Sequence, residues 1–221
     1  MNAHGIFDGI VCIGACDKVV PALLMAAVRI NLPTIVIPGA APDSFYIKYL
    51  NNSVYHRLEN KKSIDVKLLN QERYIKRLLL EGKITEDEFV ELYKNTISSC
   101  DICRFYATGG SMACFSVAVG MSPADAVFYP DNIIEKKECI RSTGEQIMKL
   151  IREDIKPSDI VNKHSFINAL RTVIAFSGSM NVIIHSLAIV NELKLDFTLD
   201  DIYEVSNSTP YYMQFTKIHS V

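Results

Sequence analysis

The sequence predicts an α/β fold in which a parallel sheet with flanking helices precedes a mainly helical C-terminal part. Two observations carry that expectation. An apolar run over residues 6–13 and a β-branched run over residues 33–38 bracket a segment of helical character at residues 21–31, so strand, helix and strand alternate without a break. From about residue 131 onward the apolar residues recur at helical spacing. A parallel pair joined through one helix is expected to cross over right-handed.

The elements follow in order. Residues 6–13 read as a strand buried on both faces, the first helix runs over 21–31, and residues 33–38, ending at Gly39, read as the second strand. Between residues 43 and 83 charges, Asn and Tyr mix without a clean period, which marks a divergent or mobile segment, although residues 64–80 could form an amphipathic helix ending at Gly82. Thr85 and Glu88 form a capping box that starts a helix reaching about Asn95. Thr108, Gly109, Gly110 and Ser111 supply hydroxyls and exposed backbone ahead of a helix from Met112 to about Val119, with Gly120 as its C-cap. Residues 131–154 place Ile133, Ile134, Ile147 and Leu150 on one side and Asn, Glu and Lys on the other, with Thr143 and Gly144 as a possible break. Residues 164–176 gather Phe166, Leu170, Val173 and Ile174 on one face. Ser177, Gly178 and Ser179 interrupt, residues 181–193 resume as a strongly apolar helix, and Thr198 opens a last short one. With no internal repeat, low-complexity tract or linker, a single domain over residues 1–221 is expected.

Composition excludes several function classes. The 221 residues are 49% hydrophobic and 22% charged, ordinary for a globular protein, and a net charge of -2 gives no electrostatic case for nucleic acid. The first residues lack a basic n-region, and Asp, Lys or Pro breaks every apolar run before membrane-spanning length. A cytoplasmic protein with no membrane partner is expected, its six cysteines serving as thiols or metal ligands rather than disulfides. The absence of a P-loop and of G-x-G-x-x-G argues against a generic nucleotide-binding role.

Chemistry concentrates in two stretches. Cys16, Asp17 and Lys18 fall in the turn between the first strand and the first helix, where open α/β sheets bind ligands. Backbone N–H groups at a helix N-terminus favour anions and lower a cysteine pKa, and both thiolate and carboxylate ligate metals. The second stretch contains Cys100 and Cys103, a C-x-x-C spacing suited to metal or redox work. Blander alternatives stand beside these: Cys16 and Cys103 as buried apolar cysteines, Asp17 as an N-cap, Lys18 as a solvated lysine. Cys12, facing the sheet packing, Cys114, at a helix interface, and Cys139, on a helix surface, read as structural. His185 reads as a satisfied core histidine, and Arg104 as a surface arginine rather than a carboxylate ligand.

The motifs around Cys16-Asp17-Lys18, Leu24-Met-Ala-Ala-Val-Arg-Ile-Asn-Leu-Pro33, Gly82-Lys-Ile-Thr-Glu-Asp-Glu88, Thr108-Gly-Gly-Ser-Met112, Ala175-Phe-Ser-Gly-Ser-Met-Asn181 and His185-Ser-Leu-Ala188 occur in order. This series resembles successive motifs of the dihydroxy-acid dehydratase and phosphogluconate dehydratase family, specifically an internal part of its N-terminal domain. The resemblance implies a hydro-lyase that converts a 2,3-dihydroxy acid, a branched-chain precursor or a sugar acid, to a 2-oxo acid. It also implies an iron–sulfur cluster, 2Fe–2S or 4Fe–4S, and magnesium. Carried over by position, Cys16 and Cys103 would bind the cluster, Asp17 would bind magnesium, and Lys18 would do so as its carbamate; Cys100 takes no such role.

Departures from the family pattern shape the expectation. Family members are considerably longer, and their preceding and following segments carry another cluster cysteine, further magnesium-binding carboxylates and the serine base, none with a matching position here. No catalytic residue is therefore assigned. The family's Thr-Ala-Asn-Ser/Thr-Met is Thr108-Gly-Gly-Ser-Met112 and its Gly-Gly-Ser-Thr-Asn is Ser177-Gly-Ser-Met-Asn181. The Gly-Gly-Pro that usually follows the second strand is Gly39-Ala-Ala-Pro42. Two functions follow: a dehydratase, divergent or working with separately encoded segments, or a catalytically silent fragment or regulatory subunit that keeps the fold. In isolation the chain is expected to be very weakly active at best, and to be a homo-oligomer or partner-bound.

Overall fold

A computed structural model describes residues 5–39, 53–59, 61, 63–65, 69, 72–96, 107–127, 129 and 134–212. The chain separates into two compact units, one formed by residues 1–41 and 100–221 and the other by residues 42–99.

In the first unit, strand β1 (Ile10–Gly14), helix α1 (Val19–Ile30) and strand β2 (Thr34–Pro38) build a two-stranded sheet. The strands are parallel, with Ile10 opposite Thr34 and Gly14 opposite Pro38, as the alternation of the sequence predicts. Their environments differ. All five residues of β2 are buried, whereas β1 alternates, with Val11 39% and Ile13 67% exposed. The apolar run over 6–13 therefore does not make a strand buried on both faces; its first four residues precede the ladder, and one face of the rest is open. β2 is enclosed because Val36 packs into the core of α1, while Ile35 and Ile37 meet Ile147 and Leu150 of helix α6 (Ile134–Arg152) on its other face.

The main core lies where α1 packs on helices α5 (Thr108–Ala118) and α9 (Asn181–Leu193), and where helix α8 (Lys163–Ala175) packs on α5 and on helix α10 (Leu199–Ser208). Phe166, fully buried on α8, stands edge-on between Phe115 and Phe197, with ring centroids 5.1 and 5.3 Å away. Arg29 of α1 forms a two-armed ion pair with Glu192 of α9. A short helix, α7 (Pro157–Ile160), touches α1, and Asn31, left-handed at the end of α1, accepts the Ser158 N–H at 3.0 Å.

In this unit two helices differ most from the sequence expectation. Helix α6 runs unbroken through Gly144, whose missing side chain faces open space, so nothing forces a break there. Its buried stripe is Lys136, Cys139, Thr143, Ile147 and Leu150, whereas Ile134 is exposed, which puts Cys139 inside rather than on a helix surface. Helix α5 begins at Thr108, so the Thr-Gly-Gly-Ser run lies within its first turn and is largely buried.

The second unit holds helices α2 (Ser53–Glu59), α3 (Glu72–Leu80) and α4 (Glu86–Thr96) around Val54, Leu58, Ile75, Leu78 and Leu92. The amphipathic helix expected over 64–80 is shorter, and Gly82, at φ 64°, closes it. The capping box is present: Thr85 N–H donates to Glu88 at 2.7 Å and Glu88 N–H to Thr85 Oγ1 at 3.2 Å. Among the described residues no helix is long and apolar enough to cross a membrane.

Candidate metal centre

The C-terminal ends of the two strands are tied together by the Gly39 N–H, which donates to the Gly14 carbonyl at 3.0 Å. Gly14 leaves room for the first turns of α1. A Cβ there would stand 2.5 Å from Val19 Cγ1 and 2.9 Å from Leu23 Cδ1, so those two side chains would have to shift to admit it. Ala15 then leads into Cys16, whose φ of 89° is one that L-residues with a side chain rarely adopt. Backbone strain of this kind costs about 1–3 kcal/mol and collects at ligand sites.

The strained turn presents its three side chains to solvent. The Cys16 thiol donates to Asp17 Oδ1 at 3.2 Å, and the Lys18 ammonium donates to Asp17 Oδ2 at 2.9 Å. The Lys18 and Asp17 side chains are 81% and 40% exposed. The hydrogen bond from Lys18, helped by that from Cys16, holds the Asp17 carboxyl below the usual carboxylate range, and the same contact raises Lys18. Asp17 is not an N-cap. Lys18 occupies that position, its carbonyl accepts from Ala22 N–H at 3.2 Å, and no side chain caps the helix. The carboxylate instead accepts from its two chain neighbours, Cys16 and Lys18. The Cys16 thiol and the Asp17 carboxylate are, by type, a soft and a hard donor side by side, whereas the Lys18 ammonium as it stands is no ligand. Among the described residues no three His, Cys, Asp or Glu side chains converge on one point. Cys100, Cys103 and Arg104 lie outside the described residues, so the expected approach of Cys103 to Cys16 does too.

The structure brings two other motifs together. Thr108, at the start of α5, and Ser179, ahead of α9, share a hydrogen bond of 2.9 Å, and the Asn181 amide donates to Thr108 Oγ1 at 3.1 Å. Ser111 Oγ accepts the Ser179 N–H at 2.9 Å while donating to the Ala107 carbonyl at 2.8 Å. Gly178 fits only without a side chain, because a Cβ would lie 2.3 Å from Val173 Cγ1 and 2.9 Å from the Val173 carbonyl oxygen. The hydroxyls of these motifs thus join two helix ends, and the backbone expected to be exposed at Gly109 is buried. Beside them opens a cavity of about 230 Å³ lined by Ser177, Ser179, Met180, Ile183, Ser206 and Tyr211. His185 is half-buried on α9.

Sequence reasoning missed one charged residue. Lys136 is 1% exposed, and its ammonium donates to the Pro38 carbonyl at 3.3 Å and to the Ala126 carbonyl. The signal was there, since Lys136 shares the helical stripe of Cys139, Thr143, Ile147 and Leu150, but a lysine is read as solvated by default. Burial raises the Cys139 thiol, and Cys12 likewise, which keeps both protonated and supports their structural reading.

Comparison with known proteins adds to this geometry. The profile of the dihydroxy-acid/6-phosphogluconate dehydratase N-terminal region matches residues 1–216. Proteins named dihydroxy-acid dehydratase are similar along most of the chain. That of Caldicellulosiruptor saccharolyticus is 36% identical over 204 residues, covering 92% of this chain and 34% of its own length. That of Methanococcus maripaludis is 35% identical over 214 residues (95% and 36%), and that of Dehalococcoides mccartyi 33% over 208 (94% and 35%). The chain spans about a third of the length of these relatives.

Proposed function

The chain belongs to the dihydroxy-acid/6-phosphogluconate dehydratase family, and on that premise we propose that it contributes the Cys16–Asp17–Lys18 part of a site that dehydrates a 2,3-dihydroxy acid to a 2-oxo acid. Cys16 and Cys103 would hold an iron–sulfur cluster, and Asp17 with carbamylated Lys18 would hold magnesium. The observation that carries this reading is the turn: a strained, exposed Cys16 at the mouth of the sheet, beside a carboxylate that caps no helix.

When bound, the cluster iron would act as Lewis acid on the leaving hydroxyl, and magnesium would stabilise charge at the carboxylate end of the substrate. The chain's own residues do the rest of what can be assigned. Cys16, as thiolate, is a soft ligand suited to iron, and Asp17 a hard one suited to magnesium. A free Lys18 ammonium would repel magnesium, whereas its carbamate presents an anionic oxygen. The α1 N-terminus behind them favours the negative charge that such a ligand set concentrates.

No residue here matches the family's serine base, and loss of a general base alone costs about 10²–10⁴-fold in rate. The chain by itself is therefore expected to turn over a dihydroxy acid very weakly, and to act as a homo-oligomer or with separately encoded dehydratase segments. The alternative is a catalytically silent or regulatory subunit that keeps the fold, in which the hydroxyls of the Thr108 and Ser179 motifs serve to hold α5 to α9.

Anaerobic purification with iron, sulfide and visible-absorption analysis tests the proposal. Iron and sulfide bound in wild type and lost in Cys16→Ser would support the cluster; a colourless, iron-free chain that stays so with the flanking family segments added would leave the silent reading. Activity that appears only with those segments would support a shared site, and substantial turnover by the purified monomeric chain would overturn the expectation of weak activity.

A further inference from the structure

The hydrogen-bond alternation of the sheet gives Lys136 a role. Ile10 N–H donates to the Pro33 carbonyl and Gly39 N–H to the Gly14 carbonyl, so the odd-numbered residues of β2 bond to β1 and the even-numbered ones face the opposite edge. There Val36 N–H finds the Met121 carbonyl at 2.8 Å. Pro38, the last even-numbered residue, has no N–H, and its carbonyl is buried where an unmet acceptor would be costly. Lys136 reaches from the first turn of α6 to supply the donor, and its other contact, with the Ala126 carbonyl, ties that strand end to the 3-10 turn at Ala124–Val127.

The end of β2 is thus held from both edges, by Lys136 on one side and by the Gly39–Gly14 bond on the other. Two residues beyond Gly14 stands Cys16 at its strained φ. A turn held in a disfavoured backbone conformation keeps it only while its anchors stay fixed. A buried ammonium is an expensive anchor, since it must be stripped of water at a cost that a Met or Leu in the same apolar stripe would avoid. Only a long side chain with several N–H donors meets both carbonyls.

We propose that Lys136 is a positioning residue for the Cys16–Asp17–Lys18 turn, acting through Pro38, Gly39 and Gly14 on the conformation of a turn it does not touch. The inference rests on the metal-site reading for its functional consequence and on backbone geometry alone for its mechanism.

Lys136→Met and Lys136→Arg are compared with wild type and Cys16→Ser in the full chain. Hydrogen exchange mapped by peptide is measured first, on the metal-free protein. Lys136→Met is expected to exchange about tenfold faster over residues 10–20 and 34–39, with the α8–α9 peptides unchanged and Lys136→Arg restoring protection. Anaerobic iron and sulfide loading follows, read by visible absorption. Lys136→Met is expected to lose most of the cluster absorption and Lys136→Arg to retain it. Unchanged exchange over residues 10–20 in Lys136→Met, or a uniform rise across the first unit that Arg does not reverse, overturns the positioning role. Cluster absorption in Cys16→Ser equal to wild type instead overturns the metal-site reading and leaves the exchange result standing. If Lys136→Met does not fold, Lys136→Gln, which keeps donors but no charge, serves in the same comparison.

Discussion

Two clusters of polar side chains in the first unit contrast in how they use their hydrogen bonds. At the sheet mouth, the Cys16 and Lys18 side chains bond to Asp17 across adjacent positions, in the open, and among the described residues these side chains have no bond to a distant part of the chain. Around Thr108, Ser111, Ser179 and Asn181, bonds join residues 68 to 73 positions apart, and Ser111 is fully buried. Polar groups bonded to their chain neighbours on an exposed turn can release those bonds to a ligand at little cost to the fold. Groups that close a long loop inside the core cannot. The first cluster is the candidate site and the second a tie between helix ends, although the sequence marks both with polar residues.

The contrast can be tested by substitution, beginning with the tie. Gly178→Ala is expected to lower stability by about 3 kcal/mol, since the added methyl meets the Val173 backbone, which cannot move aside as a side-chain tip can. Urea unfolding reads this directly; a loss no larger than that of a surface substitution would mean the α8–α9 junction is loosely packed. Ser111→Ala should cost about 1 kcal/mol, because it leaves the half-buried Ser179 N–H without its acceptor.

At the site the sign reverses. Cys16→Gly is expected to raise stability by about 1 kcal/mol through relief of the left-handed backbone, while Cys16→Ala, which keeps a Cβ, gives no such gain. Equal midpoints for the two variants would show that the turn is unstrained. Asp17→Asn should leave the thermal midpoint at neutral pH unchanged, as expected of an exposed pair.

The smallest effect is on acid stability. The hydroxyl tie contains no titrating group, so its contribution is flat with pH, whereas depressed carboxyls elsewhere are acid-labile. Asp201, bonded to Lys163 and to the Thr198 cap, is lowered from 3.8 to about 2. Because its folded value lies below the unfolded one, the stabilisation is fully present above pH 3.8 and is lost as pH falls toward 2. The midpoint difference between wild type and Asp201→Asn should therefore shrink across that window and stay constant above it. A difference that grows on acidification would refute the assignment.

How much was legible in the sequence follows from the range of each interaction. The parallel order of the two strands, the capping box at Thr85, the helix start at Thr198 and the helix Asn181–Leu193 were readable because periodicity and caps act over two to four residues. The Cys16–Asp17–Lys18 turn was legible for the same reason, since a strand run, a polar triplet and a helix run adjoin in the chain. Tertiary structure alone decided the remainder. The open face of β1, the continuity of α6 through Gly144 and the inward stripe that takes up Lys136 and Cys139 depend on which distant element covers which face. Side-chain type states a preference for burial, but burial itself is conferred by neighbours remote in sequence. Thus Ile13 stays in solvent while Lys136 is buried against the end of a strand almost a hundred residues earlier.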